Sequence, residues 1–112
     1  MKIYYNSKCS KCRFAADYLK DEELEIVEYL TKPLTPEELK DILQKLKMRP
    51  EEIVRKKEDL YKQFAGKEYS DDQWIDILIK NPKLMQRPII IKGDKAIIGR
   101  SEESLEEIKM SN

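Results

Sequence analysis

Apolar and polar positions in the N-terminal third of the chain predict a strand, a helix and a second strand. Lys2–Asn6 (KIYYN) is short and rich in residues that favour strands. The following stretch places Phe14, Tyr18 and Leu19 at helical spacing. Apolar and polar residues then alternate, imperfectly, over Leu24–Tyr29, which indicates a second strand. A short turn therefore joins the first strand to the first helix.

The middle of the chain has the pattern of a helical segment. Thr35 is a good N-cap residue and Pro36 suits the first helical position, so a helix begins there. Further helix starts are predicted after Arg49 and after Ser70, with another short helix around Leu60.

The C-terminal part predicts a β-hairpin and a last helix. The elements are a strand over Pro88–Lys92, a turn at Gly93-Asp94, a strand over Lys95–Ile98 and a helix over Ser101–Met110. The whole order is β-α-β, helices, then β-β-α, which predicts an α/β protein with four strands in a mixed sheet. We expect one domain over residues 1–112, with residues 33–84 as a helical insertion.

Composition excludes several kinds of chemistry. The 112 residues include 22 basic and 22 acidic residues and no histidine. A Ser-His-Asp triad and a His-ligated metal are therefore excluded, and two cysteines cannot form a four-sulfur metal site. Without a basic excess we expect no direct nucleic-acid binding. No signal peptide or membrane span is visible, so we expect a cytoplasmic protein without membrane contact.

The cysteine pair Cys9 and Cys12 is the main chemical signal. Cys9 precedes the first helix, where free backbone N–H groups stabilise a thiolate. Lys8, Lys11 and Arg13 add positive charge nearby. Cys12 lies one helical turn further on, close enough to resolve a mixed disulfide at Cys9. The alternative is that both are small buried residues, which is common for free cysteine.

Arginines provide the second signal, because the chain has 17 lysines and only five arginines. Arg87 starts a predicted strand, Arg100 follows one, and Arg55 lies in the helical segment. Three guanidinium groups beside a thiolate would bind a small oxyanion. The alternative is that they form surface salt bridges with the many carboxylates.

Four motifs, in this order and spacing, resemble a known family over nearly the whole chain. They are YYNSKCSKCR, VRKK, QRPIII and IIGR. The chain is similar in them to the glutaredoxin-linked arsenate reductase family (ArsC), which includes the Spx regulators. The resemblance implies a thioredoxin-like, glutaredoxin-like fold with a helical insertion.

The resemblance also implies roles for individual residues. Cys9 matches the catalytic cysteine that attacks arsenate. The matches to the three oxyanion-binding arginines are Arg55, Arg87 and Arg100. The supporting positions are Asn6, Arg13 and Pro88, and Pro88 matches a proline that is cis in this fold. No bound cofactor is implied, since glutathione with glutaredoxin, or thioredoxin, supplies the electrons.

Two departures from the family pattern leave alternatives open. Tyr5 stands where well-studied reductases have a histidine, and Cys12 stands where glutaredoxin-dependent members usually have a serine. A CxxC here is the pattern of Spx, a redox-sensing transcriptional regulator that binds RNA polymerase, and Cys9–Cys12 would be its switch. Spx lacks an arginine at the position of Arg100, which favours a reductase. A general thiol–disulfide reductase is the third reading.

Overall fold

The computed structural model describes residues 1–111, and their contacts divide the chain into two compact units. The first unit comprises Met1–Lys32 and the chain from Arg87 onward, and the second comprises Pro33–Gln86. The second unit spans nearly the same residues as the insertion predicted over 33–84. The assignment of the whole chain to one domain stays a prediction.

The first unit is a four-stranded sheet with two helices. Its elements are β1 (Lys2–Tyr5), α1 (Ser10–Tyr18), β2 (Glu25–Glu28), β3 (Ile89–Lys92), β4 (Lys95–Ile98) and α4 (Glu102–Met110). The strand order is β2-β1-β3-β4. β1 pairs in parallel with β2 and antiparallel with β3, and β3 pairs antiparallel with β4. The prediction of a mixed four-stranded sheet is therefore confirmed.

The core of this unit lies between the central strands and the two helices. Its buried members come from β1, α1, β3 and α4: Ile3, Ala15, Leu19, Ile90, Leu105 and Ile108. β2 is an edge strand, and Ile26 on it is half exposed. The parallel pairing of β1 and β2 matters most for the site, because the loops that leave both strands then lie at the same edge of the sheet.

The second unit is mainly helical, as predicted. It contains α2 (Pro36–Leu46), α3 (Asp71–Lys80) and three 3₁₀ helices at Pro50–Ile53, Asp59–Gln63 and Pro82–Leu84. Thr35 and Ser70 cap α2 and α3 with complete capping boxes, which confirms the predicted helix starts. The 3₁₀ helix at Pro82–Leu84 was not predicted. No helix among residues 1–111 is long and apolar enough to cross a membrane.

Gly99 joins β4 to the loop before α4 at a point where a side chain has no room. A Cβ atom there would lie 2.6 Å from Cδ1 of Ile90 and 2.9 Å from Cδ2 of Leu105. The backbone N–H of Gly99 donates to the carbonyl oxygen of Pro88 over 2.8 Å. This close approach holds the start of β3 against the end of β4.

We expect Gly99→Ala to lower the free energy of unfolding by about 1–3 kcal/mol, because it overpacks the core against two buried side chains. Urea titration measures this. Gly93→Ala is the control: its Cβ would meet no atom within 4 Å, so its cost comes only from the positive φ of 60°. A Gly99→Ala protein as stable as the wild type would contradict the crowding.

Candidate active site

The turn between β1 and α1 is fixed by hydrogen bonds from three backbone N–H groups. The backbone N–H of Cys9 donates to the carbonyl oxygen of Asn6 over 3.0 Å. The N–H of Lys8 donates to the side-chain oxygen of Asn6, also over 3.0 Å. The N–H of Ser7 donates to both carboxylate oxygens of Glu28 at 3.3 Å. Cys9 is therefore held in one place by backbone donors.

Cys9 is the N-cap residue of α1, and its backbone is extended there. Its thiol is partly exposed. Burial raises the pKa of Cys9, but the backbone N–H of Cys12, the Arg87 guanidinium, the Cys12 thiol and the N–H of Lys11 together lower it to about 7. At pH 7 about half of the protein then carries a thiolate, against roughly one part in a hundred at the ordinary pKa of 9.0.

The first turn of α1 contains no acidic residue. The other three α-helices each have two acidic residues in the first turn, at the positive end of the helix dipole. At α1 the sulfur of Cys9, rather than a carboxylate, lies at this positive end. We predicted that Lys8, Lys11 and Arg13 would supply positive charge; all three are exposed, and the leading stabilisers of the thiolate are the backbone N–H groups and Arg87.

Cys12 has the opposite environment. It is completely buried in the third position of α1, and it is a free thiol. Burial is the largest of the causes that raise its pKa to about 12, and the nearby Cys9 sulfur adds to this, against the backbone of Asn6 and the charge of Arg87. The two cysteines therefore differ: the pKa of Cys9 is lowered and that of Cys12 is raised.

Arg87 is the arginine that lies beside the thiol. Burial disfavours its charge, but Cys9 and Tyr29 more than offset this, so the pKa of Arg87 is raised. Its Nε and Nη1 atoms are buried and have no hydrogen-bond partner within residues 1–111. Two buried donors next to a nucleophilic sulfur fit an anion that has several acceptor oxygens. The peptide bond between Arg87 and Pro88 is cis, as predicted.

The remaining arginines have different environments. Arg55 belongs to the second unit, where its guanidinium pairs with Glu58 at 3.2 Å. Arg100 is exposed, one residue after Gly99. Arg13 is exposed on α1, and its backbone N–H donates to the carbonyl oxygen of Cys9. The structure thus brings Cys9, Cys12 and Arg87 together, and the oxyanion-binding roles of Arg55 and Arg100 stay predictions.

Tyr29 is the member of this group that the sequence analysis missed. It follows β2 directly, it is 1% exposed, and it contributes to the raised pKa of Arg87. The structure also defines the role of Asn6, which was predicted only as a supporting position. Its backbone and its side chain both accept hydrogen bonds in the turn. No local sequence signal placed Tyr29 here, because its position depends on the parallel pairing of β1 with β2.

We expect the alkylation rate of the wild-type protein by iodoacetamide to rise with pH around a midpoint near 7, because only the thiolate of Cys9 reacts. Mass spectrometry should find the label on Cys9 and not on buried Cys12. Cys9→Ser is the control and should react slowly at every pH up to 9. Equal labelling of both cysteines would contradict the assigned environments.

Comparison with known proteins shows the family to which the chain belongs. The family model described as "ArsC family" matches residues 4–108. The chain belongs to the ArsC family. An arsenate reductase of Neisseria meningitidis is 34% identical, with 96% of this chain and 97% of that protein covered. The protein YfgD of Escherichia coli is 42% identical, with 96% and 95% covered.

Solved structures of ArsC-family proteins show the same fold. The structure of an arsenate reductase from Vibrio cholerae superimposes with a TM-score of 0.88 at 34% identity, covering 96% of this chain and 98% of that one. The expected thioredoxin-like α/β fold is thereby confirmed. The Spx regulator of Streptococcus pyogenes is more distant: it is 29% identical over 92% of this chain and 80% of that protein.

Proposed function

We propose that this ArsC-family chain is an oxidoreductase that reduces arsenate to arsenite through the thiolate of Cys9. The observation that carries the proposal is the contact between this thiol, with its pKa of about 7, and Arg87, which has two buried donors without partners. Relatives named arsenate reductase, each aligned over nearly their full length, support it.

The electrostatics of the reaction explain why a thiolate and an arginine must lie side by side. Arsenate carries about two negative charges near neutral pH, so attack by a thiolate brings together like charges. A guanidinium at the point of attack neutralises part of this charge, and its planar N–H donors match the oxygens of a tetrahedral anion. In this role Arg87 both stabilises the thiolate and orients the oxyanion.

Arg55 and Arg100 are proposed as further oxyanion ligands, because each matches a family motif. Asn6 acts at a distance from the substrate by holding the turn that carries Cys9. Pro88 follows Arg87 directly, and its carbonyl oxygen is held by the N–H of Gly99. Arg13 is exposed in the first part of α1, and its positive charge is proposed to add to the positive end of that helix.

Arsenate reduction needs two electrons from thiols in each cycle, so an external thiol must regenerate the protein. Glutathione with glutaredoxin, or thioredoxin, is the proposed source. Two cysteines at CxxC spacing are typical of redox chemistry in a reducing compartment, and we therefore propose that the reaction takes place in the cytoplasm.

A redox function without arsenate is the second candidate, and the free Cys9–Cys12 pair is the observation that favours it. Such a pair could act as a switch in a regulator that binds RNA polymerase, or as a general thiol–disulfide reductase. Neither role requires the two open donors of Arg87. The distinction is therefore whether an oxyanion is turned over.

The test is arsenite formation by the purified, reduced protein, assayed with glutathione plus glutaredoxin and separately with thioredoxin plus its reductase. Turnover with either system supports the proposal. Disulfide exchange with thioredoxin in the absence of arsenite formation under both conditions would favour the second candidate. Phosphate and sulfate at the same concentration serve as controls for the oxyanion.

A further inference from the structure

Cys12 is buried next to Cys9, so the sulfur atom with which it can react is that of Cys9. It is 0% exposed and sits on the inner side of α1, so a dissolved disulfide or thiol cannot reach it. Cys9 stands three residues earlier, at the N-cap, and the two thiols affect each other's ionisation directly. The sulfur open to Cys12 is therefore the one that would carry arsenic.

On this basis we infer that Cys12 is the resolving nucleophile of the proposed reaction, and that a dithiol protein then reduces the resulting Cys9–Cys12 disulfide. This inference rests on the proposed function, and it adds the source of the second electron. On this route Cys12, and not glutathione, breaks the bond between the Cys9 sulfur and arsenic.

The electrons balance with these groups alone. Cys9 attacks arsenate, a bond forms between Sγ and arsenic, one oxygen leaves as water, and arsenic remains in oxidation state five. Cys12 then attacks Sγ of Cys9; the bond between the two sulfurs forms and the sulfur–arsenic bond breaks. The electron pair of that bond leaves with arsenic, which becomes arsenite. The proton of Cys12 passes to the departing oxyanion, and the two thiols have each lost one electron.

The environment of Cys12 keeps its thiol protonated in the free protein. Burial is the largest cause that raises its pKa, and the neighbouring Cys9 sulfur adds to this, while the backbone of Asn6 and the charge of Arg87 lower it. Attack on Sγ of Cys9 therefore requires the Cys12 proton to leave as the sulfur–arsenic bond breaks, and the departing oxyanion is the group that accepts it.

A single-turnover experiment tests this inference. The full chain is reduced, freed of small thiols without oxygen, and mixed with excess arsenate. We expect about one arsenite per chain, together with a Cys9–Cys12 disulfide seen by mass spectrometry as the loss of two hydrogen atoms. Cys12→Ser should form no arsenite under these conditions. Cys9→Ser, which lacks the nucleophile, is the negative control.

The reductant preference gives a second readout that a purely structural role for Cys12 would not change. Wild type should turn over with thioredoxin, its reductase and NADPH. Cys12→Ser should lose at least tenfold in this system and regain turnover with glutathione plus glutaredoxin, which shows that the variant is folded and still binds arsenate. In Cys12→Ala, which has no side-chain donor, the Cys9 alkylation midpoint should move above 7, because the Cys12 thiol helps to lower the pKa of Cys9 by hydrogen bonding.

The outcomes separate the inference from the proposal on which it rests. Wild type that makes no arsenite without added thiol, but turns over with glutathione and glutaredoxin, overturns the role of Cys12 and leaves arsenate reduction standing. A folded wild type that makes no arsenite with either reductant system overturns both.

Discussion

Replacing Cys9 with serine is expected to lower kcat/KM for arsenate by on the order of a thousandfold or more. A serine hydroxyl is almost wholly protonated at neutral pH, whereas about half of the Cys9 thiol is ionised at a pKa of about 7. The N-terminus of α1 and Arg87 cannot compensate, because lowering the pKa of a serine hydroxyl to the same extent still leaves it protonated at neutral pH. Arsenite formation with glutathione and glutaredoxin is the measurement.

Ser10→Ala is the matched control for this change. Ser10 is the next residue, its side chain is exposed, and alanine keeps the backbone N–H of the helix start. We expect its activity to stay within about twofold of the wild type, as for other surface substitutions. Circular dichroism should show that Cys9→Ser keeps the fold. If Cys9→Ser retained a tenth of the activity, Cys9 would not be the nucleophile.

Replacing Arg87 with alanine is expected to cost on the order of a hundredfold in kcat/KM. The change removes the buried donors beside the thiol and also one of the groups that lower the pKa of Cys9. The two effects can be separated. The Cys9 alkylation midpoint should rise above 7, and an assay at higher pH should recover the part of the loss caused by protonation but not the part caused by lost substrate contacts.

Arg87→Lys and Arg49→Ala complete this experiment. Lysine keeps the positive charge but not the planar donor geometry of arginine. Compared with Arg87→Ala, Arg87→Lys should therefore bring the Cys9 alkylation midpoint back towards the wild-type value but recover less of the arsenate turnover. Arg49 is exposed and pairs with Asp71 at 3.1 Å in the second unit, so its loss should be close to neutral. An Arg87→Ala enzyme within threefold of the wild type would exclude Arg87 as an oxyanion ligand.

Arg55→Ala and Arg100→Ala test the two arginines whose roles rest on the family motifs. If both bind the oxyanion, each change should lower kcat/KM by on the order of tenfold while leaving the Cys9 alkylation midpoint unchanged. For Arg55 the competing role is its ion pair with Glu58. Glu58→Gln, which breaks the pair and keeps the arginine, should retain activity if Arg55 serves the substrate.

The local signals in the sequence were sufficient for most of the secondary structure. Thr35 and Ser70 have side chains that cap a helix whatever lies around them, so the starts of α2 and α3 could be predicted from a few residues. The β3–β4 hairpin has a turn with Gly93 at a positive φ, which is again a local requirement. The 3₁₀ helix at Pro82–Leu84 was missed because three residues carry no periodicity.

The chemical site was predictable only where its members are close in sequence. Cys9 and Cys12 share one turn and one helix, so their different environments followed from helix geometry. Arg87 was singled out as an arginine at the start of a strand, but no local pattern fixes its place beside Cys9, which depends on the pairing of β1 with β3. Tyr29 was not singled out. Its contact with Arg87 arises from three strands that are distant in sequence, and no pattern of apolar residues encodes that.

In the turn before α1, the groups that hold Cys9 in place are different from the exposed side chains around it. The hydrogen bonds of the turn use backbone N–H groups of Ser7, Lys8 and Cys9, with acceptors on Asn6 and Glu28. The exposed side chains of Ser7 and Lys8 are therefore free to change without moving the sulfur. A library randomised at these two positions should therefore change the surface beside the sulfur while leaving the position of Cys9 and the pKa of its thiol unchanged.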